Sequence, residues 1–164
     1  MNESADSKRP ELLRNPVHWL AFGFGSGLSP VAPGTFGTLA AIPVFILLSG
    51  LPLWQYLLAT LVMFGIGIYL CGRTSTDLGV EDHPGIVWDE IVGFLVTMTA
   101  VPASLIWVVA GFALFRFFDI LKPWPIGLVD SRMKGGLGIM IDDVLAGLYG
   151  LIILHILMYL AGQL

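Results

Sequence analysis

Hydrophobic positions dominate three long stretches of the chain, and residues 15–72, 91–115 and 144–164 contain no Asp, Glu, Lys or Arg. A membrane-spanning helix takes about 20 apolar residues, with about 17 as the lower end. The first stretch is far too long for one helix and breaks at Ser49-Gly50-Leu51-Pro52. It divides into a helix over Gly37–Leu48 or Ser49 and a second over Leu53–Cys71. The middle stretch breaks at Ala100-Val101-Pro102-Ala103-Ser104, because proline lacks the N–H and clashes with the preceding turn. That predicts a third helix over Ile86–Thr99 and a fourth over Ala103–Leu121. A fifth is predicted over Ile141–Ala161. The first and third are short for full crossings. Trp54, Trp88, Trp107, Trp124 and Tyr159 fall near predicted helix ends, as interfacial aromatics do.

Composition turns these helices into a membrane reading. Hydrophobic residues make up 56% of the 164-residue chain and charged residues 12%, about half the charged share of a soluble domain. The pattern predicts an all-α membrane bundle of about five helices. Residues 1–14 form a polar N-terminal tail, and 15–164 form a single domain. The net charge of −4, with no basic stripe, argues against nucleic acid as a partner. The one cysteine, Cys71, excludes an intrachain disulfide and a Cys-rich zinc site. Its neighbours Ile68, Tyr69 and Leu70 mark it as a small buried hydrophobe.

Charge then sets orientation. With the outer turns at Gly50 and Pro102, all eight Lys and Arg lie on one side. The excess of basic residues in cytoplasmic loops places that side in the cytosol. The first, third and fifth helices then begin at the cytosolic face, with their free N–H groups and positive dipole ends in one layer. Those starts are Pro33-Gly34-Thr35-Phe36-Gly37-Thr38, Pro84-Gly85-Ile86-Val87-Trp88-Asp89-Glu90 and Gly135-Gly136-Leu137-Gly138-Ile139-Met140-Ile141-Asp142-Asp143.

The candidate chemistry lies in that layer. Asp89-Glu90 and Asp142-Asp143 each sit within a turn of a predicted helix start, and Gly93 and Gly147 follow Asp89 and Asp143 at i+4. One acid near a helix N-terminus is ordinary dipole complementarity. Two adjacent pairs at the edge of hydrocarbon, where charge is costly, point to function. Arg116, Asp119 and Lys122 follow at i, i+3 and i+6, then the rigid Lys122-Pro123-Trp124-Pro125 segment. An ion pair with a snorkelling lysine explains that spacing as well as catalysis does. The glycine-rich run Phe22–Leu28 is no Walker loop. Ser29, Thr35 and Thr38 with the amides of Gly34 and Gly37 make a phosphate or headgroup cradle, or simply a flexible approach to the first helix. His83 belongs to a solvated loop, and His18 and His155 are structural. No Asp-x-Asp, Cys-x5-Arg or Ser-Arg-x5-His motif is present, so the carboxylates suggest metal-assisted chemistry.

Four segments carry a resemblance to a known family. They are Gly25–Pro30 with Ala32–Thr38, Val87–Gly93, Arg116–Asp119 with Lys122–Ile126, and Lys134–Met140 with Asp142–Gly147. In these motifs, spread in order over nearly the whole chain, the sequence resembles the phosphatidylglycerophosphatase A family of bacterial inner-membrane lipid phosphatases. The resemblance implies a Mg²⁺-dependent hydrolase that removes the terminal phosphate of phosphatidylglycerophosphate, and an all-α fold with a central helix surrounded by others. Joined to the residue reading, it implies Asp89, Glu90, Asp142 and Asp143 as metal ligands, with Asp119 as a further candidate. Arg116, Lys122 and Lys134 would neutralise phosphoryl charge, and the substrate would be a phospholipid held in the bilayer. A headgroup transferase and a small transporter or scaffold subunit are the rival classes. The sequence has no nucleotide site for the first and no mid-span charge for the second.

Overall fold

The computed structural model describes residues 14–81 and 83–162. The predicted N-terminal tail falls almost wholly on 1–13, outside the described residues. The bundle is built from α1 (Pro16–Ala21), a 3₁₀ segment (Gly23–Leu28), α2 (Pro33–Leu48), α3 (Leu53–Leu78), α4 (Trp88–Thr97), α5 (Leu105–Leu121), α6 (Ile126–Arg132) and α7 (Gly135–Leu160). The five predicted helices are α2, α3, α4, α5 and α7. Short α1, α6 and the 3₁₀ segment lacked the length to register as apolar runs.

Helix α4 is the centre. Ile91, Val92, Phe94 and Leu95 are wholly buried, and α2, α3, α5 and α7 all pack around it. Close approach rests on two glycines. A methyl group at Gly93 would collide with the Asp143 carbonyl and the Phe115 ring, and one at Gly147 with the Gly93 carbonyl. The Thr97 hydroxyl lies 3.2 Å from the carbonyls of both Gly93 and Gly147 and ties the crossing together. Small residues of this kind let helix backbones meet where lipid offers no hydrophobic drive.

Helix boundaries depart from the hydropathy pattern where polar residues continue a helix. Helix α3 runs two turns past Cys71, through the Arg73–Asp77 pair at 2.9 Å, and stops at Gly79 in a left-handed conformation with φ 69°. Helix α2 begins at Pro33 rather than Gly37, since proline is well suited to a first helical turn. The largest correction concerns α7, which begins at Gly135 instead of Ile141. Its glycines form a packing surface: a side chain at Gly136 would strike the Ile68 carbonyl of α3. Asp142 and Asp143 therefore lie about two turns inside α7, away from its dipole end. The expected convergence of three helix starts reduces to two, those of α2 and α4.

Of the expected interfacial aromatics, Trp54, Trp124 and Tyr159 are exposed, whereas Trp88 and Trp107 are buried. Trp88 donates its indole N–H to the Met63 carbonyl at 3.0 Å, which makes it a clamp between α4 and α3. Cys71 is fully buried against the Met140 sulfur, and His18 is buried with Nδ1 2.9 Å from the Thr74 hydroxyl. Both are buried in the packing of α3. Helices α3 and α7 are each 26 residues long and apolar enough to cross a membrane.

Candidate active site

Asp89 and Glu90 occupy the first turn of α4, and the Gly93–Gly147 crossing one turn below brings α7 alongside. As a result Asp89, Glu90 and Asp143 each present a carboxylate oxygen within 4.8 Å of the other two. Asp89 and Asp143 are buried. Glu90 Oε2 and Asp143 Oδ2 are buried without a hydrogen-bond partner. Buried anionic oxygens in this state are costly unless a cation compensates them.

Cationic groups come from α5. Arg116 Nη1 hydrogen-bonds Asp119 Oδ2 and lies 3.9 Å from Glu90 Oε1. The predicted i, i+3 pair thus forms and holds the guanidinium against the acids. Gly34, in the first turn of α2, sits so close to Glu90 and Arg116 that a methyl group there would meet both. Lys122 caps α5 in a left-handed conformation with φ 43°. Its Nζ lies 2.8 Å from Asp142 Oδ2 and 2.7 Å from Asp130 Oδ1. Burial works against the ammonium charge, but the hydrogen bonds and charges of Asp130 and Asp142 outweigh it and hold its pKa above the ordinary lysine value.

These groups line one cavity of about 250 Å³, with Pro33 and Gly34 on one wall and Arg116, Asp119 and Lys122 on another. A second cavity of about 280 Å³ shares Asp89 and Asp142 with it and extends towards Glu81, Ser131 and Lys134. Asp142 stands apart from the Asp89–Glu90–Asp143 group, with its Oδ2 committed to Lys122. Lys134 is exposed, paired with Glu81 at 3.0 Å, and lines only the second cavity.

The hydroxyl candidates lie outside this geometry. Ser29 donates to the Val31 carbonyl at 2.8 Å, and Thr38 to the Gly34 carbonyl at 2.8 Å from a fully buried position. Neither they nor Thr35 line the first cavity; Gly34 does. His83 Nδ1 accepts from the Gly85 amide at 3.0 Å and shapes the turn into α4. Asp130 and Glu81 are not among the candidates that the sequence offers. They meet Lys122 and Lys134 at separations of 8 and 53 residues, and neither spacing leaves a helical signature.

Comparison with known proteins decides the family. The phosphatidylglycerophosphatase A family model matches residues 19–158. The chain belongs to that family. It is 51% identical to "Phosphatidylglycerophosphatase A" of Escherichia coli over 87% of this chain and 84% of that protein. It is equally 51% identical to the protein of the same name from Haemophilus influenzae, over 97% and 98% of the two chains. A Bacteroides thetaiotaomicron protein provisionally named a phosphatidylinositol-3-phosphatase is 42% identical over 94% of this chain and 99% of its own length. No solved structure matches this member of the phosphatidylglycerophosphatase A family.

Proposed function

We propose that the chain hydrolyses the terminal phosphomonoester of phosphatidylglycerophosphate, giving phosphatidylglycerol and phosphate, in the cavity between α2, α4, α5 and α7. The names of its relatives support the reaction. The single observation that supports the site is the meeting of Asp89, Glu90 and Asp143 with Arg116 and Lys122 around one cavity.

The donor set suits Mg²⁺, which takes oxygen ligands and is commonly shared between carboxylates and a substrate phosphate. Asp89, Glu90 and Asp143 would hold it, and the orphaned oxygens of Glu90 and Asp143 are the fit. Bound there, the cation supplies charge neutralisation to the phosphoryl oxygens. Arg116, fixed by Asp119, presents guanidinium N–H groups to the same oxygens. Such fixed donors are effective because the transition state is loose and spreads charge over its equatorial oxygens. Lys122, held protonated between Asp130 and Asp142, faces the side where the alcohol oxygen departs. One water is consumed: its oxygen joins phosphorus as the bond to the glycerol oxygen breaks, and that oxygen leaves with a proton.

The two long apolar helices and the lipid phosphatase family support association with a membrane. We read it as a multi-pass protein of the bacterial inner membrane with the cavity open to the cytosol, a reading supported by the one-sided basic residues.

The test is phosphate release from defined phospholipids by the purified protein, with EDTA and with Mg²⁺ restored. Activity lost to EDTA and recovered with Mg²⁺ is expected. Folded Asp143→Asn and Glu90→Gln proteins that keep full Mg²⁺-dependent turnover would sink the metal assignment.

A further inference from the structure

The second cavity has no part in charge neutralisation, yet it opens from the first across Asp89 and Asp142. Its wall is rich in acceptors. Asp89, Asp130, Asp142 and Glu81 line it, with Lys134 as the one lining cation among the described residues, so a phosphate dianion would be repelled. Alcohol hydroxyls are the opposite case, because they donate to carboxylates. One acceptor there waits for a donor: Asp142 Oδ1 is buried without a hydrogen-bond partner, on a side chain 8% exposed whose other oxygen is committed to Lys122.

We infer that this second cavity is the subsite for the alcohol portion of the substrate, a hydroxylated linker between the departing phosphate and the rest of the lipid, and that it sets selectivity among lipid phosphomonoesters. The inference rests on the phosphatase reading above. With the phosphoryl group beside Arg116, the linker crosses from the first cavity to the second past Asp89 and Asp142, the two residues that both cavities share. A free hydroxyl on that linker donates to Asp142 Oδ1. Lys134, at the outer end, meets the next anionic group along the lipid. A lipid whose phosphate is attached directly to the diacylglycerol has no such linker and leaves the subsite empty.

Two substrates with identical acyl chains separate the cavities: phosphatidylglycerophosphate, which carries the linker, and phosphatidic acid, which does not. The full-length protein in mixed micelles is expected to prefer the first. Lys134→Ala removes the outer cation, and Ser131→Phe fills the cavity from an exposed position that folding tolerates. Each should lower kcat/KM for the linker-bearing lipid about tenfold, mostly through KM, since a hydrogen bond to a charged group carries that order of free energy. Turnover of phosphatidic acid should change less than twofold. Equal losses on both lipids, no loss on either, or a parent protein without preference would overturn the inference. A parent inactive on both lipids would overturn the phosphatase reading and this inference with it.

Discussion

Helices α4 and α7 carry nearly the same text, Asp89-Glu90-Ile91-Val92-Gly93 and Asp142-Asp143-Val144-Leu145-Ala146-Gly147, and use it differently. On α4 the pair opens the helix, and both acids reach the carboxylate group. On α7 the pair lies two turns in, where neighbouring side chains diverge by about 100°. Asp143 turns to the group and Asp142 to Lys122. A repeated motif thus gives one pair that acts together and one pair divided between a cation site and an ion pair. The glycine that follows each pair is what the two helices share.

The division should break most visibly at Asp143. Asp143→Asn is expected to lower Mg²⁺-dependent turnover by about a thousandfold or more, beyond the roughly 10–100-fold of residues that only support ligands. It should also raise the Mg²⁺ concentration for half-maximal rate, read in a metal titration. Asp142→Asn should cost about 10–100-fold, with that concentration unmoved. Because Asp142 and Lys122 form one unit, the double Asp142→Asn, Lys122→Met protein should be little worse than Lys122→Met alone. A fully additive loss would contradict the pairing. Gly147→Leu tests what the helices share: overpacking against the Gly93 carbonyl should destabilise by about 1–3 kcal/mol, seen as a lower unfolding midpoint in detergent. Ser29→Ala should be the mildest, changing turnover less than about twofold, because its hydroxyl serves Val31.

Much of this was legible in sequence, for physical reasons. The five main helices follow from apolar length and from the breaks at Gly50 and Pro102. The acids stood out because charge at the end of an apolar run is expensive. The close crossing was readable from Gly93 and Gly147 at i+4. Helix ends were less legible because hydropathy stops at Cys71 while the hydrogen-bonded ladder continues to Leu78. The glycines of 135–138 read as a loop before a helix at Ile141, since a glycine that frees a loop and a glycine that admits a neighbouring backbone look alike in one dimension. Asp130 and Glu81 were invisible because their partners come from other segments. The hydroxyls of Ser29 and Thr38 were over-read, since nothing in their spacing reveals that nearby carbonyls already hold them.

The shortness of α4 has a mechanical consequence. Ten residues rise only about 15 Å, about half of the ~30 Å hydrocarbon core of a bilayer. If the carboxylates lie at headgroup level, the far end of α4 stops near the bilayer midplane, and the chain from Met98 to Ser104 turns at depth. Non-helical backbone is tolerated there only where protein surrounds it; Met98 and Val101 are buried, but Ala100 and residues 102–104 are exposed. An exposed turn belongs outside hydrocarbon, so a ten-residue α4 would carry its carboxylates below headgroup level, while α3 and α7 supply the lipid-facing height around it.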